Sequence, residues 1–270
     1  MRALSGKNAI ITGGGSGIGR GIALALVRRG ANVMLAGRRP DALAAVAAEI
    51  DALNGRAVAL AVDLREVTAC EQLIDATRTM LGGIDILVNN AGVLAAGRLD
   101  EHAVDDIHAV VTLNLTAPIS LTRLAWPELM AAGRLMVVSA MSKAPLPYAS
   151  LYAATKAGLA AFGASLWYEG APVGVQVLTA FPPGTATELT APLAAGRRFY
   201  RLANPLVVGE RIVSALEAGR TEVAWGPVSR RSRGCIELHL TPRAVSWLRC
   251  VGSSAKPTES GPSSEHAARG

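Results

Sequence analysis

Cysteine is scarce in this chain. Cys70, Cys235 and Cys250 are three scattered thiols, too few for a disulfide framework and without zinc-ligand spacing. They read as buried or incidental thiols of a reducing compartment, which points to the cytoplasm. His102, His108, His239 and His266 show no metal-ligand spacing either, so no metal site is expected. No apolar run approaches the roughly 18 residues that span a bilayer. The first residues, MRALSGKNAIITGGG, show no signal-peptide apolar core before a strand begins. Aromatic residues make up 4% and charged residues 18% of the 270, while half are hydrophobic. That excess of apolar residues excludes a disordered chain.

Acidic residues are in deficit, and the formal charge is +6. The imbalance is local. Residues 1–225 hold 20 Lys/Arg against 18 Asp/Glu, and residues 226–270 hold 7 against 3. The body of the chain is therefore close to neutral, and its composition does not argue for nucleic-acid binding.

Short apolar runs alternate with helix-forming stretches through residue 225. The runs are Ala9–Thr12, Asn32–Ala36, Ala57–Val62, Asp85–Asn89, Arg134–Ser139, Val175–Ala180 and Glu222–Trp225. Between them lie Ile18–Arg29, Pro40–Leu53, Val67–Leu81, Val104–Leu129 and Ser150–Glu169, each helical in pattern. Strands apolar on both faces, separated by helices, predict a single α/β domain over 1–225. Its architecture is a doubly wound parallel sheet of about seven strands with helices on both faces. Residues 226–270 form a basic C-terminal extension. It carries Arg230, Arg231 and Arg233 and ends in a Gly/Ser/Pro-rich tail expected to be disordered. That extension is read as a solvated tail, with a weak membrane-surface contact as the alternative.

The first run leads into Thr12-Gly13-Gly14-Gly15-Ser16-Gly17-Ile18-Gly19. Glycines at 13, 17 and 19 suit a Rossmann-type strand-to-helix turn: a tight bend, close approach of a pyrophosphate, and helix packing on the sheet. The helix start then offers free N–H groups and a positive dipole end. The second run ends Ala36-Gly37-Arg38-Arg39. No carboxylate stands there to accept from a ribose 2′-OH, and a guanidinium suits a 2′-phosphate, so NADP(H) is expected in preference to NAD(H). Arg38, nearer the strand end, is favoured over Arg39.

Tyr152 and Lys156 are spaced i, i+4 on one helical face. An ammonium beside a phenol favours phenolate and lowers the tyrosine pKa from about 10, which makes Tyr152 a usable acid near neutrality. Ser139 ends the strand before that helix, within reach of a substrate carbonyl. Tyr148 has no lysine four residues on.

These residues together resemble the classical short-chain dehydrogenase/reductase family. The motifs are TGGGSGIG at 12–19, Asp63, Asn89-Asn90-Ala91-Gly92, Asn114, Ser139, Tyr152 and Lys156, in the family's order and spacing. The resemblance covers about residues 5–225. It implies an oxidoreductase interconverting a carbonyl and a secondary alcohol. Tyr152 would be the acid/base, Lys156 would bind the nicotinamide ribose and tune Tyr152, and Ser139 would orient the substrate oxygen. Asn114 would hold a water relaying protons from Lys156. In the cofactor cleft it implies Gly13, Gly15, Ser16, Gly17, Ile18, Gly19, Arg38, Arg39, Asp63, Leu64, Asn90, Ala91, Gly92, Pro182, Thr185 and Thr187. It also implies a homodimer or homotetramer built on the helices 104–129 and 150–169. A non-catalytic NADP-binding sensor of the same fold and a membrane-associated lipid ketoreductase are the alternatives. Retention of Tyr152 and Lys156 weighs against the sensor.

The chain departs from the family pattern twice. The strand before Ser139 is one residue short, so alignment from the strand side puts Ala140 at the serine position; Ser142 is a further alternative. Counting from Tyr152 favours Ser139 and puts Pro147 where a proline is common. After the sixth strand, Phe181-Pro182-Pro183-Gly184-Thr185-Ala186-Thr187 has Pro183 where a glycine is usual. That resembles DltE-like oxidoreductases and 3-ketosphinganine reductases. Thr185 and Thr187 are expected to reach the carboxamide and phosphates. The segment 188–204 is expected to form a substrate lid, its Leu189, Leu193, Phe199 and Tyr200 suiting an apolar small-molecule substrate.

Overall fold

The computed structural model describes residues 4–131, the backbone of 135–139, and residues 148–191 and 202–225. The extension 226–270, Ser142, Pro147 and lid residues 192–201 lie outside the described residues.

Seven strands alternate with helices: β1 (Asn8–Thr12), α1 (Gly17–Val27), β2 (Asn32–Gly37), α2 (Pro40–Asp51), β3 (Ala57–Ala61), α3 (Ala69–Leu81) and β4 (Ile86–Asn89). Then follow α4 (Val104–Val111), α5 (Ala117–Ala131), β5 (Leu135–Ser139), α6 (Ser150–Gly170), β6 (Gln176–Phe181), α7 (Pro205–Glu217) and β7 (Glu222–Ala224). The strands pair in parallel in the order β3-β2-β1-β4-β5-β6-β7. Strand order therefore reverses between β1 and β4, and open α/β sheets take ligands beyond the C-terminal ends of strands at such a point.

Burial follows the strand period of two. Ile11, Leu35, Val88, Leu178 and Ala180 face one core with residues of α1, α2 and α7, such as Ile22, Leu43 and Ile212. Ile10, Met34, Ala36, Leu87 and Val177 face a second core with Leu73, Leu121 and Leu159 of α3, α5 and α6. A sheet covered on both faces explains why its strands read as continuous apolar runs. Local chemistry marks the helix ends. Pro40 opens α2, where no N–H is needed, and Gly82 at φ 88° ends α3. The Asn204 side chain accepts from the Leu206 N–H at 2.9 Å to cap α7.

The expected single helix over 104–129 is instead two helices joined by a π-helical turn, Thr112–Thr116. The Ala117 N–H reaches back to the Thr112 carbonyl, five residues away. Two causes coincide there. Pro118 has no N–H to give the carbonyl of residue 114. The Asn114 side chain is also drawn into a pair of hydrogen bonds with Val93. An inserted residue turns Asn114 inward at the cost of a regular ladder. Among the described residues no helix is long and apolar enough to cross a membrane.

α1 and α7 cross at the closest range that backbones allow. A Cβ placed on Gly209 would lie 2.3 Å from the Gly21 carbonyl carbon, and one on Gly21 2.5 Å from the Pro205 carbonyl oxygen. Neither neighbour is a side chain that can rotate away. Gly209→Ala is therefore expected to push α7 away from α1 and cost about 2 kcal/mol or more, as overpacking does. Urea denaturation of the two proteins checks this, and equal midpoints would refute it.

Candidate active site

The junction of β1 and β4 is built around one hydroxyl. Thr12 ends β1 with 2% of its surface exposed. Its Oγ1 donates to the Val88 carbonyl at 3.1 Å and accepts from the N–H groups of Asn90 and Ala91 at 2.9 and 3.0 Å. Asn90 answers through its side-chain amide, which donates to the Thr12 carbonyl at 2.9 Å. The structure thus brings Asn90 and Ala91 to the glycine turn.

Within that turn, Gly13 and Gly17 have φ of 67° and 54°, which a Cβ makes costly. A Cβ on Gly19 would fall 2.1 Å from the Gly13 carbonyl oxygen and 2.7 Å from Asn90 Nδ2. Gly15 lies against Ala42, at the start of α2. Ser16 is the residue before α1, but its hydroxyl does not cap the helix, and no acidic residue sits in the first turn. Among the described residues, the N-terminal N–H groups at Gly17, Ile18 and Gly19 are therefore left without a side-chain acceptor, the arrangement that receives phosphates.

At the end of β2 the two arginines diverge. The Arg39 guanidinium donates to Ser16 Oγ at 3.2 Å and pairs with Glu188 at 2.8 Å. Arg38 is exposed and makes no hydrogen bond or ion pair among the described residues. After β3, Asp63 accepts from the Arg65 backbone N–H at 3.1 Å and from its guanidinium. The Arg65 guanidinium holds the Asp63 carboxyl below the usual carboxylate range. Asp63 shapes a turn there, and the cap position of α3 belongs to Thr68. The Leu64 side chain is 5% exposed and packs in the second core.

Tyr152 and Lys156 are buried on α6, 2% and 4% exposed, with Lys156 Nζ 5.8 Å from the centre of the Tyr152 ring. Asn114 meets them from the π-helical turn. Its amide donates to the Val93 carbonyl at 2.9 Å and to Thr155 Oγ1 at 3.2 Å, and its oxygen accepts from the Val93 N–H at 2.8 Å. Gly92 fits between: a Cβ there would be 3.1 Å from Asn114 Oδ1 and 3.3 Å from Lys156 Nζ. Ser139 ends β5, paired with Ala180 of β6; its side chain lies outside the described residues.

Beyond β6, Pro182 is buried, and Thr185 is 2% exposed with its hydroxyl on the Pro183 carbonyl at 2.7 Å. The Thr187 methyl packs on the glycine turn, 2.8 Å from where a Cβ of Gly17 would stand.

The pKa pattern differs from the expectation. Burial pushes the Tyr152 hydroxyl up and lowers the Lys156 ammonium from 10.5 to about 8. Desolvation is the cause in both cases, since both groups are withdrawn from water. Sequence reasoning also missed three threonines: Thr12, Thr155 and Thr190. The Thr190 hydroxyl donates to the Thr185 carbonyl and holds the turn after β6. Thr12 opens the TGGGSGIG motif and Thr155 sits inside the Tyr152-to-Lys156 spacing, so position in a motif was an available signal. Thr190 had none.

The geometry agrees with the comparisons. The family model described as short chain dehydrogenase matches residues 7–198. The chain is 30% identical over 233 residues to the ketoacyl reductase HetN of Nostoc sp., covering 83% of this chain and 79% of that one. A short chain dehydrogenase from Burkholderia cenocepacia, solved in complex with NADP, matches at 30% identity and TM-score 0.74, over 82% of this chain and 96% of that one. The 3-ketoacyl-(acyl-carrier-protein) reductase of Brucella melitensis, complexed with NADH, matches at 27% identity and TM-score 0.73, over 82% and 96%. The chain belongs to the short chain dehydrogenase family. It is an oxidoreductase of that family, whose members bind NAD(P).

Keeping Lys156 charged at this depth costs roughly 3 kcal/mol, at ~1.4 kcal/mol per pK unit. Between pH 8 and 10.5 the unfolded chain binds more protons than the folded one, so this penalty is relieved as pH rises. Lys156→Met is therefore expected to stabilise the cofactor-free protein at pH 7, by roughly 1–3 kcal/mol. The gain is full below about pH 8 and fades towards 10.5. Urea denaturation across that range reads it, and a destabilised variant at pH 7 would refute it.

Proposed function

We propose that this protein is an NADP(H)-dependent oxidoreductase interconverting a carbonyl and a secondary alcohol, with Tyr152 as general acid and base. The observation that carries the reading is the convergence of Tyr152, Lys156, Asn114 and Gly92 at one end of the parallel sheet, beside a glycine turn that side chains would fill. The residues present fit a dinucleotide. Every Cβ that Gly13, Gly17 or Gly19 lacks would collide with a neighbour, and the start of α1 has neither a Ser16 cap nor an acidic residue in its first turn. Gly13, Gly15, Ser16, Gly17, Ile18 and Gly19 would hold the phosphates. Asp63 and Leu64 would border the adenine, with Asn90, Ala91 and Gly92 along the cleft and Pro182, Thr185 and Thr187 at its nicotinamide end. When bound, the nicotinamide supplies or receives the hydride.

The protein's own part is proton transfer and orientation. Burial keeps Tyr152 protonated at neutral pH, the form that gives a proton to a carbonyl oxygen. Lys156, still largely charged at pH 7, stabilises the phenolate that this leaves, and in oxidation the same pair takes the proton back. Asn114 spends its side chain on Val93 and Thr155. Its main-chain carbonyl, to which Pro118 has no N–H to offer, is the group to hold a relay water. Ser139 orients the substrate oxygen. Arg38, which makes no hydrogen bond or ion pair among the described residues and acts on Asp63 only through its charge, receives the 2′-phosphate. The substrate is an apolar ketone or its alcohol. Ketoacyl reduction, named for the Nostoc and Brucella relatives, is the class to screen first, and the Pro182-Pro183 step favours the DltE-like branch.

Assembly is proposed through α5 and α6. A groove of about 400 Å³ runs between them, lined by Ile119, Trp126, Phe162 and Leu166 with Arg123 and Glu169. Opposite charges on one apolar face are self-complementary, as a two-fold contact with a second copy requires.

Tyr152→Phe is expected to lower NADPH oxidation with ketone and 3-oxoacyl thioester substrates by about 10²–10⁴-fold, with NADPH binding retained. Retained turnover would remove Tyr152 from the mechanism. Arg38→Ala is expected to weaken NADPH roughly tenfold or more, the loss of a charge-assisted contact, and NADH little. Equal losses in calorimetric titrations would mean the 2′-phosphate is read elsewhere.

A further inference from the structure

We infer that Glu188 is a cofactor-specificity residue, whose carboxylate competes with a 2′-phosphate for Arg39 and so moderates the preference for NADP(H) over NAD(H). The inference rests on the dinucleotide reading above and deepens it.

Three observations meet at this corner. First, the Arg39 guanidinium spans two segments that are remote in sequence, with Ser16 of the glycine turn at 3.2 Å and Glu188 beyond β6 at 2.8 Å. Second, Glu188 is delivered there by its neighbours. Thr187 packs on Gly17, and the Thr190 hydroxyl ties the same turn to the Thr185 carbonyl. Third, Arg38 next door has no such partner among the described residues. The two arginines at the end of β2 are thus unequal: Arg39 is in contact with a carboxylate of the protein's own, while Arg38 acts on Asp63 only through its charge.

A guanidinium presents one planar fork at a time. A 2′-phosphate near Arg39 must displace the Glu188 carboxylate or sit beside it, and either weakens NADPH. NADH carries a hydroxyl at that position and meets no such opposition. The end of β2 lacks the carboxylate usual in NAD-preferring folds. Glu188 brings a carboxylate to the neighbouring arginine from another part of the chain. Both side chains are largely exposed, 55% and 67%, so the effect is modest and screened by salt.

The test titrates NADPH and NADH calorimetrically into the full chain and into Glu188→Gln, Arg39→Ala and the double variant, at low and high salt. Glu188→Gln is expected to tighten NADPH by about threefold to fivefold, the range of an exposed ion pair. NADH binding is expected to change by less than about twofold, and the gain to shrink at high salt. In the Arg39→Ala background the substitution is expected to have no effect on the ratio, because Glu188 acts through that arginine. An unchanged NADPH-to-NADH ratio, an equal change for both, or a gain that persists without Arg39 would overturn the inference. A wild-type chain that binds neither dinucleotide would overturn the parent reading itself. If the wild type binds NADPH and Arg38→Ala weakens it while Glu188→Gln changes nothing, only the role of Glu188 falls.

Discussion

The three hydrogen bonds of the Thr12 hydroxyl hold the site together. They join β1, β4 and the turn after β4 where the strand order reverses. β1 and β4 are paired, but their outgoing connections diverge there, and the ladder stops at Ile11 and Val88. The end of a ladder leaves backbone groups without strand partners, and buried unpaired groups are costly. One buried hydroxyl with a donor and two acceptor positions satisfies three of them. The glycine turn, Asn90 and Gly92 all take their places from that junction. Gly92 in turn sets the gap that Asn114 and Lys156 close.

The site also shows a conflict between packing and chemistry. Lys156 and Tyr152 lie as deep as core leucines, and burial moves both away from their charged forms. Burial of an ammonium at 156 opposes stability. In the function proposed above, the pair serves as a proton donor beside a cation, both buried on α6. The π-helical turn at Thr112–Thr116 is a similar exchange. It interrupts a regular helix so that Asn114 can grip Val93 and Thr155.

The fold was largely legible in the sequence. The seven apolar runs became the seven strands, and the parallel, doubly wound order followed from their alternation with helices. Boundaries moved by a residue or two. The error of kind was the helix over 104–129, because a 3.6-residue period tolerates one inserted residue without losing its apolar stripe. The family, too, was legible, since its motifs are short, ordered and locally constrained. Within the site, motif residues were readable and their partners were not. Nothing near Thr190, Val93 or Glu188 in the chain announces what they hold.

Composition and period by themselves determined the class of sheet, the glycine turn, the tyrosine–lysine spacing and the pair of arginines after β2. These are local properties, set by side-chain alternation, by φ that only glycine tolerates freely, and by helical pitch. Tertiary structure alone decided which arginine is free and which is held, because Glu188 reaches Arg39 from 149 positions away. It alone decided the direction of the Tyr152 and Lys156 pKa values, because burial depends on all the elements packed around α6. Spacing along a helix places two groups side by side. The amount of water left around them is a property of the whole fold.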